Sequence, residues 1–136
     1  DILPGTGAQV ITKYRARTHE AMLLYWGPDF MDPHSNAKAF AYNADNSDDS
    51  YASTTTWRNA WAVPEEMNKE TMAALAEPDQ EKRNQMYLDL QKQVQETSPF
   101  VVMFQAVKQV GMAPQVEGFV NGAISDFVFY RLVDKN

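Results

Sequence analysis

The chain has 136 residues, 44% of them hydrophobic and 22% charged, which is enough for one compact domain with a core. Eighteen acidic against twelve basic side chains give a net charge of -6, which argues against nucleic acid or anionic membrane as the main partner, since both need a basic footprint. With no cysteine, the chain has no disulfide framework, thiolate metal site or cysteine nucleophile.

No apolar run approaches the ~20 residues of a membrane span. No leader peptide is visible, and the opening on Asp1 in place of Met points to a processed product or an excised fragment. From the N-terminus, Leu3-Pro4-Gly5-Thr6-Gly7 reads as a turn into a helix over about residues 8–17, with Val10, Ile11 and Tyr14 on one face. Residues 20–26 contain Ala21-Met22-Leu23-Leu24-Tyr25 without a charge, a pattern that predicts a strand buried on both faces. Helix followed by strand indicates an α/β arrangement.

Gly27-Pro28 stops that strand. The chain is then turn-rich to about Asn59, through Asp32-Pro33, Asn43 and the polar tract from Asp45 to Ser50, with a short helix at about residues 36–41. Pro64 suits the start of a helix whose stripe is Met67, Thr71, Ala74 and Leu75, and Pro78 ends it. Asp79 opens a longer helix to about Thr97, with Met86, Leu90 and Val94 on its buried face and Tyr87 beside them. Beyond Ser98-Pro99, three strands are expected, at residues 100–104, 107–112 and 127–133, with turns at Pro114, Gly118 and Gly122.

Several groupings carry atoms suited to chemistry. Asp29, Asp32 and His34 put two carboxylates and an imidazole within six residues, a donor set for a cation or an acid/base pair in a metal-dependent hydrolase. The competing reading is that Pro-flanked aspartates close turns on their own backbone. Asp45, Ser47 and Asp49 match three positions of a calcium loop, but Ser50 and Thr56 stand where Gly and Glu are required, so a solvated loop is expected. Trp57 and Trp61 flank Arg58 and suit either ligand stacking or packing. No nucleophile elbow or phosphate-binding glycine loop is present.

The remaining candidate is Tyr25-Trp26-Gly27-Pro28-Asp29. A carboxylate just past the carboxyl end of a buried strand lies where open α/β sheets bind ligands. There an aromatic supplies an apolar wall and the carboxylate anchors an ammonium group.

Four stretches, in order, resemble the C-terminal part of the family 5 extracellular solute-binding proteins, the dipeptide- and oligopeptide-binding components of ABC importers. They are Leu24-Tyr25-Trp26 with Gly27-Pro28-Asp29-Phe30-Met31-Asp32-Pro33; Asp79-Gln80-Glu81-Lys82-Arg83 with Met86-Tyr87 and Leu90-Gln91; Ser98-Pro99-Phe100-Val101-Val102-Met103-Phe104-Gln105; and Val116-Glu117-Gly118-Phe119. Together they span nearly the whole chain.

The resemblance implies an α/β fold, the C-terminal part of a periplasmic-binding-protein type II fold, with a mixed sheet and flanking helices. Residues 1–105 would form the end of the second lobe, and residues 106–136 would return to the first. It implies a periplasmic or otherwise extracytoplasmic protein without catalytic activity or cofactor. Such a protein closes on a peptide or similar small solute and delivers it to a membrane permease. Ligand-binding residues would be Tyr25, Trp26, Gly27 and Asp29, with Asp29 pairing with the ligand's α-ammonium and Trp26 lining the pocket. Tyr25 stands where many members have Gly. Members also carry nickel chelates, sugars and opines, so ligand class stays open, as does a sensory role without transport. Without the N-terminal lobe, the strands at residues 100–104 and 127–133 are expected to expose apolar surface that self-association covers.

Overall fold

The computed structural model describes residues 1–122, 124 and 127–136. Among them the chain is helix-rich, with a small antiparallel sheet. The helices are α1 (Gly7–Arg15), α2 (Pro33–Phe40), α3 (Thr55–Arg58), α4 (Glu65–Ala76) and α5 (Gln80–Thr97). Strand β1 (Val116–Glu117) pairs with β2 (Asp134–Lys135), Val116 opposite Lys135 and Glu117 opposite Asp134. The chain divides into two compact units, Asp1–Leu24 with Asp32–Val101, and Tyr25–Met31 with Val102–Asn136.

Local chemistry sets the helix boundaries. Thr6 and Gln9 form a reciprocal capping box at the start of α1. Asp32 caps α2 through the His34 N–H, with Pro33 in the first turn where its missing N–H costs nothing. Thr54 caps α3 and Asp79 caps α5, the latter accepting from the Lys82 N–H at 2.8 Å. Pro64 precedes α4, whose first turn carries Glu65 and Glu66.

The core of the first unit lies where α2, α4 and α5 meet. Ala41, Val63, Met67, Ala74, Tyr87 and Leu90 form it, with Ala37, Trp61, Met86 and Val94 packed around them. Met67 and Ala74 are the expected α4 stripe, and Leu90 with Tyr87 the expected α5 face; Leu75, placed on the stripe from spacing, is exposed. Thr71 is fully buried within this apolar set because its hydroxyl reaches the Met67 carbonyl at 2.8 Å and the Ala41 carbonyl at 3.1 Å. Thr71→Val keeps the shape and removes both contacts, so stability is expected to fall by about 1 kcal/mol in urea unfolding. An unchanged midpoint would show that the hydroxyl links nothing between α4 and Ala41.

The turn-rich segment before α4 is tied down by polar side chains. Arg17 stacks over the Trp57 ring at 4.6 Å, bonds the Asn46 carbonyl at 3.1 Å and pairs with Asp48 at 3.0 Å. The Trp57 indole donates to the Ser47 carbonyl at 2.8 Å. Asn43 and Asn68 exchange backbone and side-chain bonds at 2.7 and 3.2 Å, which fastens the loop to α4.

The expected mixed sheet is corrected. Residues 20–26 are irregular and mostly exposed, every residue from 101 to 115 is exposed and without regular structure, and residues 130–132 form a 3-10 turn. An apolar run signals a preference for burial, but a strand also needs a neighbour to take its N–H and C=O groups. Among the described residues, the runs at 20–26 and 100–112 have no such neighbour. Phe100 alone of the third resembling stretch packs inward, edge-on to Phe40 at 5.2 Å and Trp61 at 6.0 Å. No described helix is long and apolar enough to cross a membrane.

Candidate functional site

Tyr25, Trp26 and Asp29 lie in the short segment of the second unit between Leu24 and Asp32, and all three are exposed, Trp26 by 41%. Gly27 and Pro28 are half-buried. The strand that was to deliver this turn to the carboxyl end of a sheet is absent from the described residues. The residue that follows the segment, Asp32, belongs to the first unit and is bonded within it.

Asp32 is the point of return. One of its carboxylate oxygens, Oδ1, accepts from the His34 N–H at 2.8 Å and from Arg83 Nη2 at 2.8 Å. Arg83 also donates from Nη2 to the Tyr87 hydroxyl at 3.2 Å and from Nε to the Ala74 carbonyl at 3.2 Å, and its guanidinium lies 4.9 Å from the Tyr87 ring centre. The Tyr87 hydroxyl meets His34 Nδ1 at 3.1 Å, both side chains buried. Residues of α2, the end of α4 and α5 are thereby joined at one place.

The electrostatics follow from these contacts. The Arg83 hydrogen bond, with the His34 amide, holds the Asp32 carboxyl below its ordinary range. Burial pushes the His34 imidazole down from its ordinary value, against the attraction of Asp32 and with help from Lys38 and Arg83. Burial raises the Tyr87 phenol, with Arg83 opposing. The cluster is therefore a carboxylate, a neutral imidazole, a neutral phenol and a guanidinium at neutral pH.

Of the donor set Asp29, Asp32 and His34, the latter two are occupied by Arg83, the α2 cap and Tyr87. Among the described residues, no three His, Asp or Glu side chains gather to hold an ion. Asp45 makes the turn expected of it, accepting the Ser47 N–H at 2.9 Å. Trp57 and Trp61 are packing residues, the first buried under Arg17 and the second against the core. Beside the loop, Tyr42, Asn43, Ala44, Asp45, Ser50, Ala52 and Thr54 line an open recess of about 360 Å³. Asn43 Oδ1 lacks a hydrogen-bond partner, but it is sealed from solvent and offers nothing to a ligand there.

Sequence reasoning missed the Asp32–Arg83–Tyr87–His34 cluster as a unit, because its bonded pairs Asp32–Arg83 and His34–Tyr87 lie 51 and 53 residues apart. Asp32, Arg83 and Tyr87 do fall in the first and second of the resembling stretches. Compared with family models, with curated proteins and with solved structures, the chain matches none.

Proposed function

We propose that this chain is part of a solute-binding protein that captures a peptide or similar amine-bearing solute between two lobes and hands it to a membrane permease. The observation that carries this reading is the turn itself. Tyr25, Trp26 and Asp29 put two exposed aromatics and an exposed carboxylate within five residues, and the turn's exit is pinned at Asp32. An aromatic wall beside an anchoring carboxylate suits a ligand with an ammonium head and an apolar body. The finer fold assignment, the C-terminal part of a type II periplasmic-binding fold, rests on the order of the four resembling stretches. So do the extracytoplasmic location and the absence of a catalytic step.

The exposed apolar run also supports it. Val101, Val102, Met103 and Phe104 are each largely exposed, Val102 by 88%, and a contiguous patch of this kind marks a surface built to be covered. In this reading the other lobe of the whole protein covers it, and a second copy does so when that lobe is missing.

The test is ligand identification by mass spectrometry on the whole protein, followed by calorimetry on the Asp29→Ala variant. A charge-assisted hydrogen bond contributes about 1.5–3 kcal/mol, so affinity for an amine-bearing ligand is expected to fall by about tenfold to a hundredfold. Unchanged affinity would remove Asp29 as the anchor. Stoichiometric metal with hydrolytic activity that needs it would replace capture by catalysis.

A further inference from the structure

Asn121-Gly122 is the one Asn-Gly pair in the chain, and Asn121 is exposed. It belongs to the second unit, where it lies opposite Val128 in an isolated antiparallel bridge. Two backbone bonds close that bridge. The Phe129 N–H donates to the Val120 carbonyl at 3.1 Å, and the Gly122 N–H donates to the Phe127 carbonyl at 2.6 Å. So short a pairing has little to hold it, and it opens locally without the rest of the chain unfolding.

The packing fixes which residue follows Asn121. A Cβ built on Gly122 would lie 2.7 Å from both Cβ and Cδ1 of Phe127, and 2.9 Å from its carbonyl oxygen. Phe127 can approach this closely only over a residue without a side chain. That same lack of a side chain leaves the Gly122 nitrogen unshielded toward Asn121, whose side-chain carbonyl carbon, Cγ, is one five-membered ring closure away.

We infer that Asn121 is a self-modifying site, silent while the Gly122 N–H is bonded to Phe127 and converted to aspartyl and isoaspartyl forms when the bridge opens. In the closed bridge the Gly122 nitrogen keeps its proton directed at the Phe127 carbonyl. Once it is released, hydroxide takes that proton and the nitrogen attacks Cγ of Asn121. The N–Cγ bond forms as the Cγ–Nδ2 bond breaks, and Nδ2 leaves as ammonia with a proton from water. A succinimide ring remains, and one water opens it. Breaking the new N–Cγ bond restores the ordinary main chain with an aspartyl side chain. Breaking the bond from nitrogen to the original backbone carbonyl carbon gives the isoaspartyl form. Summed, an amide and water become a carboxyl group and ammonia. The isoaspartyl form carries one extra carbon in the main chain, so the Val120 carbonyl and the Gly122 N–H can no longer meet Phe129 and Phe127 in register. The conversion therefore holds open the bridge whose opening allowed it.

The test incubates the full chain in mildly alkaline buffer, with and without urea. Trypsin then cuts at Lys108 and Arg131, which leaves Asn121 as the one asparagine of its peptide. Mass spectrometry is expected to find the amide-to-acid gain in that peptide, at least about tenfold more slowly in native buffer than in urea, because the native rate is scaled by the fraction of open bridges. Asn121→Gln is expected to stop the gain, since the longer side chain must close a larger ring. Phe129→Pro suits the φ of -82° there and deletes the donor to Val120, so its native rate is expected to rise to the rate in urea. Equal rates with and without urea in the unaltered chain overturn the protection, as does a Phe129→Pro chain that converts no faster than the unaltered one. No gain in urea removes the site. In the isoaspartyl product, recognised by methyl transfer from an isoaspartyl methyltransferase and freed of urea, the Phe129 amide is expected to exchange faster while the amides of α5 keep their protection. Unchanged exchange at Phe129 overturns the claim that conversion holds the bridge open.

Discussion

Leu90→Ala is expected to destabilise the first unit by about 2–5 kcal/mol, the range for emptying a well-packed leucine site. Leu90 is 2% exposed and lies with Val63, Met67, Ala74 and Tyr87 where α4 and α5 face α2. The cavity cannot collapse easily, because its neighbour on the same face of α5, Tyr87, has its hydroxyl fixed between His34 and Arg83. Domains of this size hold about 5–15 kcal/mol in total, so the loss is a large share of it. Urea unfolding followed by the fluorescence of buried Trp57 reads the change. A cost under about 1 kcal/mol would mean that α5 is not part of the folding core.

Gly118→Ala is expected to open the β1–β2 pairing altogether. Gly118 has a φ of +71°, and a Cβ built there would lie 1.9 Å from the Leu132 carbonyl oxygen and 3.0 Å from its carbon. Both are backbone atoms and cannot step aside as a side-chain end can. The left-handed backbone alone costs about 1–2 kcal/mol for a residue with a Cβ. Strands of two residues have little pairing to set against that. Amide exchange at Asn136, which bonds the Gln115 carbonyl at 3.1 Å, is expected to lose its protection. Gly111→Ala is the control, since nothing lies within 4 Å of its added Cβ. If Asn136 exchanges equally slowly in both variants, the sheet does not depend on that close approach.

These two sites differ in how visible they are before folding. The α5 core face is legible because a helix satisfies its own backbone, so a cap at Asp79, a stop at Ser98-Pro99 and a four-residue apolar spacing suffice to place it. Gly118 reads only as a turn; the chain that crowds it arrives 14 residues later. The apolar runs at residues 20–26 and 100–112 read as strands because hydrophobicity reports a preference for burial and says nothing about the partner a strand requires. Helix α3 escaped notice since Thr54, Thr55 and Thr56 resemble loop residues. Its signal was Thr54 as a cap for the Trp57 N–H, at 3.3 Å.

The candidate site divides in the same way. Tyr25, Trp26 and Asp29 stand out from residue type and order alone, because an aromatic wall and a carboxylate within five residues is a local property. Their burial on a strand end was an inference about neighbours, and the structure replaces it with an exposed turn. Asp32 and His34 were first legible as possible metal donors; in the structure their side chains bond Arg83 and Tyr87 of α5, 51 and 53 residues further along the chain.

By itself, then, the sequence determined the Asp79 cap, most of the core faces of α4 and α5 and the residue types of the turn. All of these depend on residues within a few positions of one another. Only the tertiary structure decided that Thr71 is buried yet satisfied, that Asn43 fastens the loop to α4, and that Asp32 bonds Arg83. Each of those joins groups far apart in the chain, and the hydrogen bond or packing that fixes it exists only once α2, α4 and α5 have come together.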